Sequence, residues 1–138
     1  MENERGREKN LHNAKVGKRG EEEALDYLQQ QGLELRERNW RSGHFEVDLI
    51  MESVDALHIV EVKSLTAASG ERSAFDRVDM KKQRNLVNAA RRYISWKHIT
   101  KEVQFDVVAV TFSDGSATAG DSKAEIEYLP RAFFPIYA

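Results

Sequence analysis

Phe45-Glu46-Val47-Asp48-Leu49-Ile50-Met51 and Leu57-His58-Ile59-Val60-Glu61-Val62-Lys63-Ser64-Leu65 are the stretches on which the reading of this chain turns. Both have the apolar content of strands, and a short polar gap, Glu52-Ser53-Val54-Asp55-Ala56, separates them. Such a gap predicts an antiparallel hairpin, because a parallel pair needs a much longer crossover. Side chains alternate between the faces of a strand. The alternation places Phe45, Val47, Leu49 and Met51 on one face of the first strand, with Glu46, Asp48 and Ile50 on the other. In the second strand it groups Ile59, Glu61, Lys63 and Leu65 opposite Val60 and Val62. With the polar sets on a common face, Asp48, Glu61 and Lys63 converge. These residue types are depleted in strands, and two readings account for them. One is a hard-cation site in which two carboxylates, backbone carbonyls and waters hold Mg²⁺ or Mn²⁺, while the lysine holds a water that attacks phosphorus. The other is a solvated hairpin face carrying a cross-strand Asp48–Lys63 ion pair.

Outward from the hairpin, the chain sorts by periodicity. From about Lys15 to Gln31, Val16, Gly20, Ala24, Tyr27 and Leu28 recur at spacings of three and four, which predicts a helix, and Gly32 is placed to cap its end. Residues 1–14 are polar and without period, and are expected to form a flexible arm ahead of a single domain over residues 15–138. Leu33–Trp40 reads as a strand and Arg41-Ser42-Gly43-His44 as a turn. Residues 66–76 and 113–123 have loop composition. Val78–Lys97 predicts a second helix, with Leu86, Ala89, Ala90, Tyr93 and Trp96 as its buried stripe. Val103–Phe112 is the most apolar strand and is expected at the centre of the sheet. Ala124–Leu129 makes the last strand. The order α-β-β-β-α-β-β predicts an α/β domain, a mixed central β-sheet flanked by helices.

The 138 residues fit one domain of ordinary size. Lys and Arg total 21 against 23 Asp and Glu, so a broadly polycationic nucleic-acid coat is excluded and any nucleic-acid site must be a local patch. The absence of cysteine excludes disulfides, thiolate metal sites and cysteine nucleophiles. No secretory signal and no membrane-spanning run is visible, so the expectation is a cytoplasmic protein without a membrane partner.

Gly17-Lys18-Arg19-Gly20-Glu21-Glu22-Glu23-Ala24 with Tyr27-Leu28 resembles the opening helix of the YraN family, UPF0102. The likeness continues through Asn39-Trp40-Arg41, Glu46-Val47-Asp48-Leu49-Ile50 and Val60-Glu61-Val62-Lys63. It resumes at Val78, Lys82-Gln83 and Phe105-Asp106-Val107-Val108-Ala109-Val110. That family is similar to the restriction-endonuclease-like PD-(D/E)xK nucleases, and among them to the archaeal Holliday-junction resolvases. The resemblance implies a restriction-endonuclease-like core. It implies that Asp48 and Glu61 are metal ligands for Mg²⁺ or Mn²⁺ with the Val62 carbonyl as a further ligand, and that Lys63 is the catalytic lysine. Glu21 matches an additional acidic residue of the resolvase branch, and Gln83 a polar position on the helix after the hairpin. The resolvase likeness suggests branched DNA and a homodimer. Two departures stand out: Phe45 replaces the family's usual Gly, and Ser64-Leu65 replaces a common Thr-Arg.

Glu22 and Glu23 read as surface residues of a helix N-terminus, and Gly17 and Gly20 as allowing close helix packing. Between residues 77 and 101 eight basic residues face Asp79 alone. Lys81, Lys82, Arg84, Arg91 and Arg92 on this helix, with Arg41 beside the hairpin, either track a phosphate backbone or make a solvated face. His44 opens the hairpin, as a turn residue or a phosphate contact. Glu46 is a supporting acid, His58 has a structural role, and Asp106 is a hydrogen-bonded structural acid or a helper in the site. No motif supports Ser/His/Asp catalysis. The expected function is metal-dependent hydrolysis of phosphodiester bonds in nucleic acid, DNA ahead of RNA. The alternatives are a non-catalytic nucleic-acid-binding module and a protein-interaction scaffold.

Overall fold

Seven elements follow one another in the computed structural model, which describes residues 4–66, 78–113 and 124–135, with side chains from Ala14 onward. They are α1 (Glu4–Gln30), β1 (Glu34–Ser42), β2 (Phe45–Glu52), β3 (Ala56–Thr66), α2 (Met80–Lys97), β4 (Glu102–Phe112) and β5 (Ala124–Phe133). The element order matches the one read from the sequence. The expected loops over 66–76 and 113–123, and Arg77, fall almost wholly outside the described residues.

The strands form one sheet in the order β1-β2-β3-β4-β5. Only β3 and β4 run parallel; the other three pairs are antiparallel. This is a mixed sheet, and the α2 crossover supplies the connection that a parallel pair requires. The helices cover opposite faces. Val16, Ala24, Leu25 and Leu28 of α1 pack with Leu49, Met51, Val60, Val62, Val108 and Val110. Leu86, Val87, Ala89, Ala90 and Tyr93 of α2 pack with Phe45, Val47, Ile50, Ile59 and Phe105. Adjacent positions on β3 and β4 therefore meet different helices, which is why their sequences are apolar almost throughout.

Helix termini follow local chemistry. Gly32, at φ 94°, ends α1: its N–H donates to the Gln29 carbonyl and the Leu33 N–H to that of Leu28, the paired bonds of a Schellman cap. Asp79 caps α2 by accepting from the Lys82 N–H. Gly43, at φ 61°, turns the two-residue link between β1 and β2, where the first residue needs a positive φ.

Three expectations are corrected. First, α1 begins at Glu4 rather than Lys15, so backbone expected as an arm is helical. The segment lacks an apolar period but is rich in good helix formers. Second, Trp96 is not part of the buried stripe of α2 but is 58 % exposed, because it lies over the edge strand β1, where it stacks on Trp40 and has no further strand beside it. Third, the alternation along β2 reverses at Asp48. Phe45 and Val47 join Ile50 on the α2 face, whereas Leu49 and Met51 join the α1 face.

Candidate functional site

That reversal builds the site. The β2–β3 ladder covers Leu49–Glu52 opposite Leu57–Val60 and stops there. Beyond it, Val62 N–H donates to Asp48 Oδ2 at 2.9 Å instead of to a strand carbonyl. In an extended strand the N–H and C=O of one residue project to the same edge, so the Val62 carbonyl also faces the β2 side. On the other edge of β2, the β1 pairing passes from Arg38↔Leu49 to Trp40↔Val47 and skips Asn39 and Asp48. Asn39 stands there at φ 48°, a left-handed conformation that asparagine tolerates better than most residues. Asp48 thus sits where both its neighbours release the backbone.

Around this gap the sheet and both helices deliver charge. Glu61 of β3 is 4 % exposed, and its carboxyl lies within hydrogen-bonding reach of Asp48. Lys63 Nζ is 3.5 Å from Glu61 Oε1, and Lys82 Nζ, from α2, is 3.4 Å from Oε2. The expected Asp48–Lys63 ion pair is replaced by this double pairing on Glu61. Neither lysine saturates it: Oε2 is buried without a hydrogen bond. Glu21 enters from α1, hydrogen-bonded to Asn39 and close enough to Asp48 for mutual repulsion. A close approach brings it there, since a Cβ on Gly20 would lie 1.7 Å from Ser64 Oγ of β3. Gly20 is the residue that lets α1 settle on the strand.

The acids strain against one another. Burial, and then the charge of Asp48, push the Glu61 carboxyl up to about 7. Burial also raises Asp48, against the pull of the Val62 N–H and Lys82. Glu21 is raised by burial and then by Asp48. A hard cation relieves this repulsion, and two carboxylates beside a carbonyl are the oxygen donors that Mg²⁺ and Mn²⁺ take. Among the described residues no three His, Cys, Asp or Glu side chains form a ready cage. The donor set suits an ion that keeps several waters rather than one that is fully wrapped by protein.

The remaining sequence-derived residues divide. Gln83 Nε2 donates to the Val78 carbonyl at 3.0 Å and ties down the start of α2. Arg41 is 3.5 Å from Glu46, an exposed pair at the hairpin mouth. Arg92 donates to the Ser42 carbonyl at 3.2 Å and lies 4.7 Å over the Phe45 ring. That contact holds Phe45 in place at the start of β2. His44 leans on the same ring at 4.1 Å. Lys81, Arg84 and Arg91 are exposed on α2, with no ion pair among the described residues. Glu22 and Glu23 are half-buried rather than fully at the surface, and Glu23 pairs with Arg19 at 3.0 Å. Leu65 is buried with Ala109.

Sequence reasoning missed Asn39 as a participant. Its place within the Asn39-Trp40-Arg41 motif was a signal without a role. It also missed a hydrogen-bonded chain in which Ser53 Oγ meets His58 Nε2 at 2.9 Å and His58 Nδ1 meets Asp106 Oδ2 at 2.7 Å. The order matches an acyl-transfer triad, but its partners are those of a structural network. Asp106 also accepts from Tyr128 Oη, Gln104 and the Arg131 N–H, while Ser53 Oγ accepts the Ala56 N–H that closes its turn. Asp106 and His58 are structural, and no helper role for Asp106 in the Glu61 site is needed. Burial raises the Asp106 pKa, but these donors, His58 foremost, outweigh it and hold the carboxyl below its ordinary range.

Among the described residues no helix is long and apolar enough to cross a membrane. The family model for "Uncharacterised protein family UPF0102" matches residues 20–110, the span that runs from Gly20 through the hairpin and α2 to the end of the β4 core. A UPF0102 protein of Bacteroides fragilis is 37 % identical over 120 residues, covering 87 % of this chain and 93 % of its own. One from Bacteroides thetaiotaomicron is 35 % identical over 124 residues, covering 90 % and 95 %. Another, from Herminiimonas arsenicoxydans, is 41 % identical over 95 residues, covering 69 % and 76 %. Matches of this length and identity, spanning every residue of the Asp48–Glu61 site, mean that the chain belongs to the UPF0102 family.

Proposed function

We propose that this chain is a cytoplasmic Mg²⁺- or Mn²⁺-dependent hydrolase of phosphodiester bonds in nucleic acid. The observation that carries this reading is the interrupted ladder at Asp48. A buried glutamate and an aspartate share a gap in the sheet, with two lysine ammonium groups beside them and one carboxylate oxygen unbonded. Perturbed carboxylates of this kind cluster at functional sites, and the likeness of the Glu46–Asp48 and Glu61–Lys63 segments to PD-(D/E)xK nucleases points the same way.

Asp48, Glu61 and the Val62 carbonyl would hold the ion, with Glu21 balancing charge from α1. The ion would neutralise charge on the phosphate and lower the pKa of a bound water. Lys63, beside Glu61, would position the attacking water. Lys82 would supply positive charge for the phosphate, and Lys81, Arg84 and Arg91 would extend the cationic surface along α2.

The test is incubation of the purified protein with Mg²⁺ or Mn²⁺ and labelled single-stranded, duplex, flap, four-way-junction and RNA substrates, beside Lys63→Ala and Glu61→Gln. The expected result is cleavage that both substitutions reduce by about a hundredfold or more. Tight, salt-sensitive binding with no product under either metal would replace the hydrolase with a binding module. Cleavage that survives in both variants would place the chemistry elsewhere.

A further inference from the structure

The only two tryptophans of the chain stack on each other. Trp40 of β1 and Trp96 near the end of α2 have ring centroids 6.3 Å apart and planes inclined by 23°. Tyr93, fully buried, supports both edge-on, at 5.2 Å from Trp40 and 6.0 Å from Trp96. The pair is therefore held rigidly from behind, while Trp96 presents most of its surface to solvent. Leaving an indole exposed forgoes the gain of burying it, and of the two large apolar side chains exposed on α2, Met80 at its start and Trp96 near its end, only Trp96 is braced by aromatic rings.

Its neighbours are cationic. Lys97 Nζ lies 4.2 Å over the Trp96 ring, and Arg92, one helical turn before Trp96, lies over Phe45. The platform also adjoins the Asp48 site, since Trp40 follows Asn39 directly and pairs with Val47. Along α2, Trp96 lies about 21 Å from Lys82, at 1.5 Å per residue, and by helical period Arg92 and Lys81 are the cations on the flank nearest Trp96, with Arg84 and Arg91 farther round the helix. Aromatic faces set beside a cationic track are how proteins hold unpaired strands: bases stack on the rings, and the phosphates follow the charges.

We propose that Trp40 and Trp96 form a stacking platform for unpaired bases of a nucleic-acid strand whose phosphates run along α2 toward Glu61. The proposal rests on the nucleic-acid reading above and narrows it to substrates with a single-stranded segment. Lys97 covers the outer face of Trp96 in the free protein. A base displaces its flexible side chain, and the ammonium stays near the adjoining phosphate.

Because these are the only tryptophans, their fluorescence reports on the platform alone. The experiment titrates the full chain, in EDTA so that cleavage plays no part, with an oligothymidylate, with an abasic oligonucleotide of the same length and charge, and with a blunt duplex. Strong quenching by the base-bearing strand, weak quenching by the abasic strand and the duplex, and a loss of affinity of about fivefold or more in Trp96→Ala are expected. Trp96→Phe should restore most of that affinity. Equal quenching and equal affinity for the abasic strand would overturn the platform in favour of a purely phosphate-tracking surface. A concentration-dependent tryptophan shift without oligonucleotide, accompanied by a doubled mass, would overturn it in favour of a self-association face. Binding as expected with no cleavage under Mg²⁺ would remove the hydrolase and leave the platform. Cleavage of duplex without quenching would do the reverse.

Discussion

Asp106 and Glu61 lie on adjacent strands of one sheet, exposed by 1 % and 4 %, yet their surroundings treat them in opposite ways. Asp106, on the α1 face, receives hydrogen bonds from His58, Tyr128, Gln104 and the Arg131 N–H, and its carboxyl is held below the ordinary range. Glu61, on the α2 face, has two ammonium groups at 3.4–3.5 Å, an unbonded oxygen and a carboxyl pushed up to about 7. A buried charge with every lone pair answered is a structural strut. One left partly unanswered costs stability and is kept where chemistry or a ligand uses it.

The sharpest way to break the comparison is to truncate the strut. Asp106→Ala leaves His58, Tyr128 and Gln104 without their common acceptor, and should destabilise the fold by about 3–5 kcal/mol in urea unfolding. A loss below about 1 kcal/mol would put Asp106 in the same class as Glu61.

The converse change should stabilise. The folded protein holds the Glu61 proton more tightly than the unfolded chain, so stability contributed at this position declines as pH climbs from about 4.5 through 7. Glu61→Gln removes that decline. In EDTA at pH 8 it should raise stability by about 1–3 kcal/mol, with the gain shrinking toward zero near pH 5. Denaturation curves at four pH values check both the sign and the slope, and a destabilised variant at pH 8 would remove the contrast.

The smallest effect concerns how the two faces are joined. Gly20→Ala forces a Cβ against Ser64 Oγ and lifts α1 from β3. The expected loss is about 1–2 kcal/mol in thermal unfolding, overpacking exceeding the roughly 1 kcal/mol gained in helix propensity. A neutral result would mean that Glu21 does not depend on this close approach.

Much of this was legible in the chain. The order of elements followed from apolar periodicity and gap lengths, and the convergence of Glu61 and Lys63 from simple alternation along β3. The placement of Asp48 was reached by a rule that fails at that residue. Period two assumes a continuous ladder, and Asp48 lies where the ladder ends and Asn39 turns left-handed. Its carboxylate takes the Val62 N–H because no strand carbonyl does. The His58–Asp106 strut was invisible because its partners are 48 residues apart, brought together only when β3 and β4 pair. Trp96 misled for a related reason: helical period predicts a stripe, but not where the sheet beneath it stops.

That parallel pairing also shapes how the molecule comes together. Every β3–β4 register pair, from Ala56 with Glu102 to Thr66 with Phe112, joins residues separated by 46 positions. The β1-β2-β3 meander can zip from its turns by local contacts, whereas the joint at the centre of the sheet closes a long loop before any gain is returned. On a chain emerging from its N-terminus, the hairpin bearing Asp48 and Glu61 is complete well before β4 arrives to bury it. The chain therefore passes through an interval in which the strand pair carrying its two site acids has an open, apolar edge, and folding speed depends on how quickly that edge is covered.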